Sequence, residues 1–452
     1  MPAGGTWTAQ NKVRPGAYIN FVYKAQNASL TVSDRGTMAV ALSLPWGKEN
    51  ELIELTASEM LSGKSLAKVG VVGDATAESL PLRLVFSGAN KAYIWRTNTG
   101  GDKATVTDAT SGYSITAKYS GTLGNKITFV SLADTPTTGT YTMNILVDGI
   151  KKESFTATTV AGLEAIESEY VDIDTTNITT LTALAGLTLT GGTNGTETTD
   201  YTDFLSAIKF KTFQTLAINS QDTNASLAIV NWVKDVRENN GKKIVGVVCN
   251  SPTANHEGII SVSQGFKSDT DTVTVPLFSL YIASLSAGAQ VNESLTCRQI
   301  TEATEIINPL DEIEIEKALG EGKLVLSYRQ DGGIVIEKDI NTLTEFTDDK
   351  GYPFSKNRVM RVLDEIGNSV ALKFTQNYAG KVDNNANGRS LFKSEIINLL
   401  DTLQNMGAVQ NFDPTSDITV YQGDDIDNVV VDLNVQPVDS MEKLYMTVYV
   451  SA

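Results

Sequence analysis

One histidine and two cysteines are the residues of this chain best suited to acid–base, nucleophilic or metal chemistry. His256 is the single histidine, so a Ser-His-Asp triad would have to use it. Its segment, SPTANHEG, shows no nucleophile elbow, and a surface histidine in a loop is the favoured interpretation. One histidine and two cysteines are also too few for the usual zinc spacings. The sequence therefore supports neither a catalytic triad nor a zinc site.

Two glycine-containing loops resemble ligand sites without completing them. The segment GGTNGT at 191–196 lacks the Lys-Ser/Thr of a phosphate loop, so its composition indicates a linker. The segment DNNANGRSLFKSE matches four positions of a calcium loop, at Asp383, Asn385, Asn387 and Gly388.

The calcium match fails where the loop needs its bidentate glutamate. That position is Ser394, and Glu395 comes one residue too late. A helix-entry turn capped by Ser390 is the favoured interpretation. The dense carboxylates of EIINPLDEIEIEKALGEGK are explained by a solvated helix face. We therefore predict no cofactor, no metal and no catalytic residue.

Composition limits the class of protein. The chain has 452 residues, enough for about three domains of roughly 150 residues. Its net charge of -17 would repel nucleic acid or an anionic membrane, and no dense basic run offsets it. The N-terminus has no apolar signal region, and no apolar run approaches the ~20 residues of a membrane span. These features predict a chain made in a cytoplasm and soluble there, with neither nucleic acid nor membrane as partner.

The two cysteines do not predict a disulfide framework. Cys249 lies in the apolar run KKIVGVVCN, where a buried, reduced thiol is expected. Cys249 and Cys297 are too few for a disulfide framework.

Periodicity predicts an α/β and α+β multidomain chain. The helix pattern NASLAIVNWVKDVRENNG lies between the strand patterns TLAIN and KKIVGVVCN, which indicates a βαβ unit and a parallel sheet. Threonine-rich strand patterns interrupt the α/β pattern. We predict an N-terminal arm at 1–24, an α/β middle domain at 25–95 plus 200–345, an inserted all-β module at 96–199 and a C-terminal α+β domain at 346–452.

Both ends of the chain carry strand patterns. Near the N-terminus, Ile19, Phe21 and Tyr23 alternate with Tyr18 and its neighbours. The final strand has one face made of Leu444, Met446, Val448 and Val450. An edge of this kind is a template for pairing, and a strand lent to a neighbour is β-augmentation. About six ladder hydrogen bonds, each contributing about 0.5–1.5 kcal/mol, would hold such a neighbour. We therefore expect the partner of each strand to be another copy of the chain.

Several stretches, occurring in order along the chain, carry a more specific signal. They are GGTWTAQNKVRPGAYINF, ITAKYSGTLGNKITF, AGAQVNESLT, VIEKDINTLTEFTDDKGYPFSKNRVMRVLDEI, GKVDNNANGRSLFKSEIINLL, QNMGAVQNF and VQPVDSMEKLYMTVYV. On these stretches the chain resembles the tail sheath proteins of contractile phages and phage-derived bacteriocins of Gram-positive hosts. The resemblance covers nearly the full length.

The resemblance implies a structural subunit without a catalytic site. Sheath subunits stack as rings, commonly sixfold, around an inner tail tube, and contraction drives the tube through a cell envelope. The implied partners are other copies, the tube protein, and the baseplate and tail terminator proteins. The implied location is a virion tail or bacteriocin particle assembled in the host cytoplasm. The C-terminal domain is expected nearest the tube and the inserted module outermost.

The resemblance also implies specific contacts. Donor strands fall at Tyr18 to Tyr23 and at Leu444 to Val450, and the candidate acceptor strand, Val429 to Val435, carries Val429, Val431 and Leu433. Basic residues that could meet an acidic tube are Lys356, Arg358, Arg361 and Lys393, although an ordinary solvated helix face explains them equally well. Deleting the residues after Val438 is expected to abolish polymerisation and leave a folded monomer.

Two rival functions remain at this point. The first is a cytoplasmic α/β hydrolase-like enzyme, which would depend on His256. The second is a surface adhesin, suggested by the threonine-rich module, although no export signal is present. Electron microscopy separates all three functions, because a sheath protein is expected to form rings or tubes.

Overall fold

The computed structural model describes residues 3–5, 16–18, 32, 34–135, 139–251 and 254–450. At the N-terminus, β1 (Ala3–Gly5) and β2 (Gly16–Tyr18) form a parallel pair. Three strands and three short helices then follow, in the segment predicted to begin the middle domain: β3 (Thr37–Leu42), β4 (Leu52–Thr56), α1 (Ala57–Leu61), α2 (Ser65–Val69), α3 (Leu80–Val85) and β5 (Lys91–Arg96). Helix α1 opens with a capping box between Thr56 and Glu59, which satisfies two backbone donors.

The next segment is rich in short antiparallel strands. Its elements are β6 (Asn98–Thr99), β7 (Thr105–Thr107), β8 (Ser114–Ala117), a 3-10 turn (Thr122–Lys126), β9 (Ile127–Thr135), β10 (Thr140–Val147), β11 (Ile150–Ala157), α4 (Val160–Glu164), β12 (Val171–Asp174), β13 (Leu184–Thr188) and β14 (Thr196–Glu197). Four strands form one sheet in the order β11-β10-β9-β13, and three form another in the order β12-β8-β7. They enclose a separate apolar core around Tyr113, Phe129 and Ile145.

Two short paired strands, β6 and β14, connect this segment to the rest of the chain and are called the neck. Strand β6 on the outgoing side pairs with β14 on the returning side. The side chain of Asn98 donates to the carbonyls of Leu44 (2.9 Å) and Asn194 (2.6 Å), so the GGTNGT loop is packed against the neck. Arg96 is fully buried there and donates to the carbonyls of Gly47 and Ser120.

The chain then returns to the α/β pattern. The elements are α5 (Thr202–Ile208), β15 (Thr215–Ile218), α6 (Thr223–Glu238), β16 (Val245–Cys249), β17 (Ile259–Val262), β18 (Gly265–Lys267), β19 (Thr272–Val273), α7 (Val275–Gly288), β20 (Glu305–Ile307), α8 (Glu312–Gly320), β21 (Lys323–Leu324), β22 (Leu326–Tyr328) and β23 (Ile334–Ile336). The predicted βαβ unit is confirmed, because β15 and β16 pair in parallel on either side of α6.

One seven-stranded sheet joins the segments before and after the insert, in the order β21-β17-β16-β15-β3-β5-β4. All its pairs are parallel except β4 with β5. Along β3, Met38 and Val40 face a core that includes α7, whereas Ala39 and Ala41 face a core that includes α5 and α6. The sheet is therefore covered on both faces, as parallel sheets usually are.

The C-terminal part combines two long helices with short strands. Its elements are a 3-10 turn (Tyr352–Ser355), α9 (Asn357–Lys373), a π turn (Phe374–Tyr378), α10 (Ala386–Asn405), β24 (Val409–Gln410), β25 (Ile418–Gln422), β26 (Val429–Leu433) and β27 (Gln436–Pro437). Leu399, Leu400 and Leu403 of α10 form the centre of its core. No helix among the described residues is both long enough and apolar enough to span a membrane.

Candidate inter-subunit surface

A two-stranded sheet near the C-terminus has two open edges. Strands β25 and β26 pair antiparallel, with Ile418 opposite Leu433 and Val420 opposite Val431. Neither strand has a second neighbour among the described residues. A two-stranded ribbon is marginal in water by itself. Here the apolar side chains of one face pack on the core that α10 builds, with Ile418 buried and Val431 half-buried.

The tail that follows the ribbon is held only at its start, and its far end does not pack on this core. Strand β27 pairs with β24, and the N–H of Val438 donates to the carbonyl of Ala408 at 2.9 Å. Residues 438–450 then form neither helix nor strand. The strand predicted at Leu444 to Val450 is therefore not formed within this chain, because the segment pairs with no edge of a described strand. Its large side chains are exposed by 69% or more: Leu444, Tyr445, Met446, Val448, Tyr449 and Val450.

A buried ion pair fixes the point where the tail leaves the body. The side chain of Lys356 is 4% exposed and pairs with Glu442, and its Nζ lies 3.5 Å from Oδ2 of Asp439. The Oγ1 of Thr296 donates to Oε1 of Glu442 at 2.9 Å. Beyond Glu442, no residue of the described tail makes a side-chain hydrogen bond or ion pair to the body. Glu442 is thus the last anchored residue of the tail.

A second buried carboxylate holds the start of α9 and so positions Lys356. Asp339 accepts from Nη2 of Arg361 (2.9 Å), from Nδ2 of Asn357 (2.8 Å) and from the N–H of Leu295 (3.0 Å). Nη1 of Arg361 donates to the carbonyl of Glu293 at 2.7 Å. A buried carboxylate needs partners of this kind to remain charged.

These ion pairs correct part of the predicted tube contact. Lys356 and Arg361 are both buried, and both charges are compensated within the chain. Neither group is free to meet a partner in this structure, so we do not assign them a tube contact. Arg358 and Lys393 are half-buried, and their contact with a tube stays a prediction.

The N-terminal donor strand is described only in part. Tyr18 belongs to β2, where it pairs with Gly5 of the same chain. Ile19, Phe21 and Tyr23 lie outside the described residues.

The middle domain and α9 are joined by a buried bidentate ion pair. Nη1 and Nη2 of Arg237 donate to the two carboxylate oxygens of Asp364 at 2.8 and 2.7 Å. Burial opposes the charge on Arg237, but the Asp364 carboxylate outweighs it and raises the pKa of the guanidinium. The amide of Asn368 adds two hydrogen bonds with the backbone of Lys243, each 2.8 Å. These contacts lock α9 onto the end of α6.

His256 is buried, so the expectation of a surface histidine is wrong. Its Nδ1 accepts from the N–H of Gly258 at 2.9 Å, and its Nε2 lies 3.3 Å from Oε1 of Glu238. Burial lowers the pKa of His256, with the nearby Glu257 carboxylate acting in the opposite direction. The ring therefore shapes the turn that leads into β17.

The other candidate ligand residues also have structural roles. Asn385 caps α10 by accepting from the N–H of Gly388 at 2.9 Å, so the predicted cap at Ser390 is wrong. Within the described ranges, no three or more His, Cys, Asp or Glu residues are grouped in a way that could hold a metal. The buried thiol predicted at Cys249 is confirmed, and burial raises its pKa to about 11. Cys297 is exposed and also unpaired.

The ion pair between Lys356 and Glu442, which anchors the tail, would have been hard to predict from the sequence. The signal is one lysine before an amphipathic helix and one glutamate before the last strand pattern, 86 residues apart by their numbers. Nothing in the spacing joins them.

Two parts of the chain match known protein families. Residues 349–451 match the phage tail sheath C-terminal domain, and residues 194–342 match the phage tail sheath protein central domain. The chain is 32% identical to the phage-like element PBSX protein XkdK of Bacillus subtilis, over 99% of this chain and 100% of that protein.

Solved structures show the same fold. The sheath tail protein of Desulfitobacterium hafniense is 35% identical, with a TM-score of 0.80 over 95% of this chain and 99% of that one. The anti-feeding prophage helical sheath, solved in a contracted state, is 11% identical, with a TM-score of 0.57 over 97% of this chain and 99% of that one. The second likeness concerns the fold alone.

Proposed function

Because the chain belongs to the phage tail sheath family, we propose that it is a structural sheath subunit linked to its neighbours by exchanged strands. Copies assemble as stacked rings, commonly sixfold, around an inner tail tube. Contraction of this assembly drives the tube through a cell envelope. The particle is a phage tail or a bacteriocin, built in the host cytoplasm and joined to baseplate and terminator proteins.

One observation carries the proposal: an unfinished sheet and an unpaired apolar tail occur in the same chain. Among the described residues, the β25–β26 ribbon has two open edges and the tail at 438–450 forms no strand. The sequence predicts a second donor strand at Tyr18 to Tyr23. A strand from each of two neighbours would complete a four-stranded sheet. Because the lent strand goes to a different copy from the one that is received, the contact is heterologous and can continue indefinitely.

The side-chain pattern of the tail suits the ribbon. The face of the ribbon over α10 carries Ile418, Val420 and Val431. The tail offers Leu444, Met446, Val448 and Val450 with the same period of two. Fully burying each of these side chains contributes about 1.5–3 kcal/mol, in addition to the ladder hydrogen bonds.

The anchored root gives the exchange a defined geometry. With Glu442 held by Lys356, the donor strand starts from a fixed point on the body. Less chain is left free, so less conformational entropy is lost when the strand pairs. We place the 96–199 module on the outer surface of the particle, away from the C-terminal sheet.

Purified full-length chain tests the proposal directly. We expect it to sediment as large particles, seen as rings or tubes by negative-stain microscopy. A chain that remains monomeric at every concentration and in the presence of tube protein would rule out the sheath function.

A further inference from the structure

A cleft between the middle domain and α9 has a basic rim, although the chain as a whole is acidic. Lys209 and Lys211 follow α5, and Lys242 and Lys243 precede β16; all four line the cleft. None of these lysines has an ion-pair partner within the described part of the chain. The remaining charged residues of the lining are Asp34, Arg35, Arg361, Asp364 and Glu365.

Two carboxylates of the lining have partners within the chain. Asp364 is bound by Arg237, and Glu365 accepts from the Oγ of Ser369 at 2.8 Å. Arg35 is half-buried. Desolvation lowers its pKa to about 10, and the charge of Arg361 acts in the same direction. The rim lysines therefore carry an excess of positive charge at the mouth of the cleft.

Lys242 is the most constrained of the rim lysines. Its Nζ donates to the carbonyl of Lys211 and lies 4.3 Å from the centre of the Phe213 ring. Burial lowers the pKa of Lys242 to about 8. A carboxylate placed at this rim would gain a partly desolvated cation as its partner.

The rim also contains exposed apolar side chains. Phe210, between Lys209 and Lys211, is 90% exposed. Leu372 of α9, across the cleft, is 57% exposed. Aromatic side chains are enriched at interfaces, and the exposed Phe210 and Leu372 lie across the same cleft from each other.

Helix α8 carries the complementary pattern. Ile313 is 78% exposed, and Glu312 and Glu316 stand one position before it and three after it. Residues at i and i+4 share a helix face, so the two glutamates flank the isoleucine on one side of α8. Both are exposed and without an ion-pair partner in the described ranges, whereas Asp311 and Glu314 form the capping box of the helix.

We propose that the cleft binds helix α8 of a second copy, with Ile313 against Phe210 and with Glu312 and Glu316 against Lys209 and Lys211. The inference rests on the proposed function, because every copy in a polymer presents both surfaces. The contact links globular parts of two copies and is separate from strand exchange. Being charged at its rim, it weakens as salt rises.

Charge reversal and its compensation test the contact in the full chain. Lys209→Glu with Lys211→Glu should lower the polymerised fraction roughly tenfold, and so should Glu312→Lys with Glu316→Lys. All four changes together should restore most of the polymer. Lys151→Glu with Lys152→Glu, at exposed lysines of the insert, is the matched control and should have no effect. Loss of polymer without restoration in the combined variant would overturn the proposal.

A cross-link separates this contact from polymerisation itself. Chains carrying Phe210→Cys are mixed with chains carrying Ile313→Cys, both with Cys297→Ser, and are oxidised mildly. A disulfide-linked dimer of the two chains supports the contact, whether or not polymer forms. Polymer without this dimer overturns the contact and leaves the sheath function standing. Absence of the dimer and of polymer from the mixture overturns the contact. The sheath function is overturned as well only if the Cys297→Ser parent chain also forms no polymer.

Discussion

Lys356, at the start of α9, and Glu442, in the C-terminal tail, form an ion pair in which the lysine side chain is only 4% exposed. Asp439 and Thr296 complete the cluster. The same tail therefore has two parts with opposite tasks. Residues up to Glu442 contact the chain that carries them. The residues from Leu444 to Val450 are exposed, and in the proposed assembly they pair with a neighbour.

Two truncations separate these tasks. Ending the chain after Lys443 should leave thermal stability unchanged and abolish polymerisation, because the described residues that are lost, 444–450, are all exposed. Ending it after Val438 should also lower the free energy of unfolding by about 3–5 kcal/mol, since buried Lys356 loses both carboxylates. Urea titration and sedimentation measure the two effects. Adding Lys356→Met to the shorter chain should recover most of the stability. Equal stability of the two truncations would show that the ion pair does not anchor the tail.

A proline in the tail tests main-chain pairing. Thr447→Pro removes one ladder donor from an exposed residue, so the monomer should melt as before while polymerisation falls sharply. Thr447→Val is the matched control and should still polymerise, because it keeps the N–H and is a good strand former. Polymerisation by the proline variant at the normal concentration would argue that the tail does not join a ladder.

The junction of the middle domain with α9 should be sensitive to one carboxylate. Asp364→Asn leaves the buried Arg237 without its counter-ion and should lower the free energy of unfolding by about 3–5 kcal/mol. Asp172→Asn breaks the exposed ion pair with Lys118 and should lower the free energy of unfolding by only about 0–1 kcal/mol. Shifts in the urea midpoint give the comparison. Similar shifts for both variants would mean that the buried pair contributes little to stability.

His256 should make the chain less stable in acid. Burial lowers its pKa in the folded state below the unfolded value of about 6.5. As pH falls through about 6.5, the unfolded chain takes up a proton that the folded chain does not, so stability declines until the lower folded pKa is passed. His256→Asn keeps an acceptor for the Gly258 N–H and removes this titration. Between about pH 7.5 and about pH 5.5, the variant should lose less stability than the unaltered chain. An identical pH profile for the two proteins would contradict this assignment.

Local sequence patterns predicted the helices and strands better than they predicted the contacts between distant parts of the chain. The alternation in NVVVDLNVQ identified β26, and helical spacing identified α9 and α10, because these signals depend on neighbouring residues. The pairing of Lys356 with Glu442 depends on how α9 docks, which no local pattern contains. For the same reason, the basic residues at the start of α9 were expected on the surface, whereas Lys356 and Arg361 are buried.

The terminal segment shows a different limit. Its period of two predicts a strand, yet residues 438–450 form none in the single chain. A strand needs a partner for its backbone groups, and the sequence of one chain does not say whether that partner is its own or a neighbour's. His256 shows the converse: its polar segment suggested a surface loop, but packing against Gly258 and Glu238 buried it.

Cryo-electron microscopy of assembled particles, at a resolution that traces both chain ends, tests the central claim most directly. The account predicts that residues 444–450 of one copy form a ladder with β25 or β26 of another copy, while Glu442 stays on Lys356 of its own. A map in which residues 444–450 pair only with strands of their own chain would contradict it.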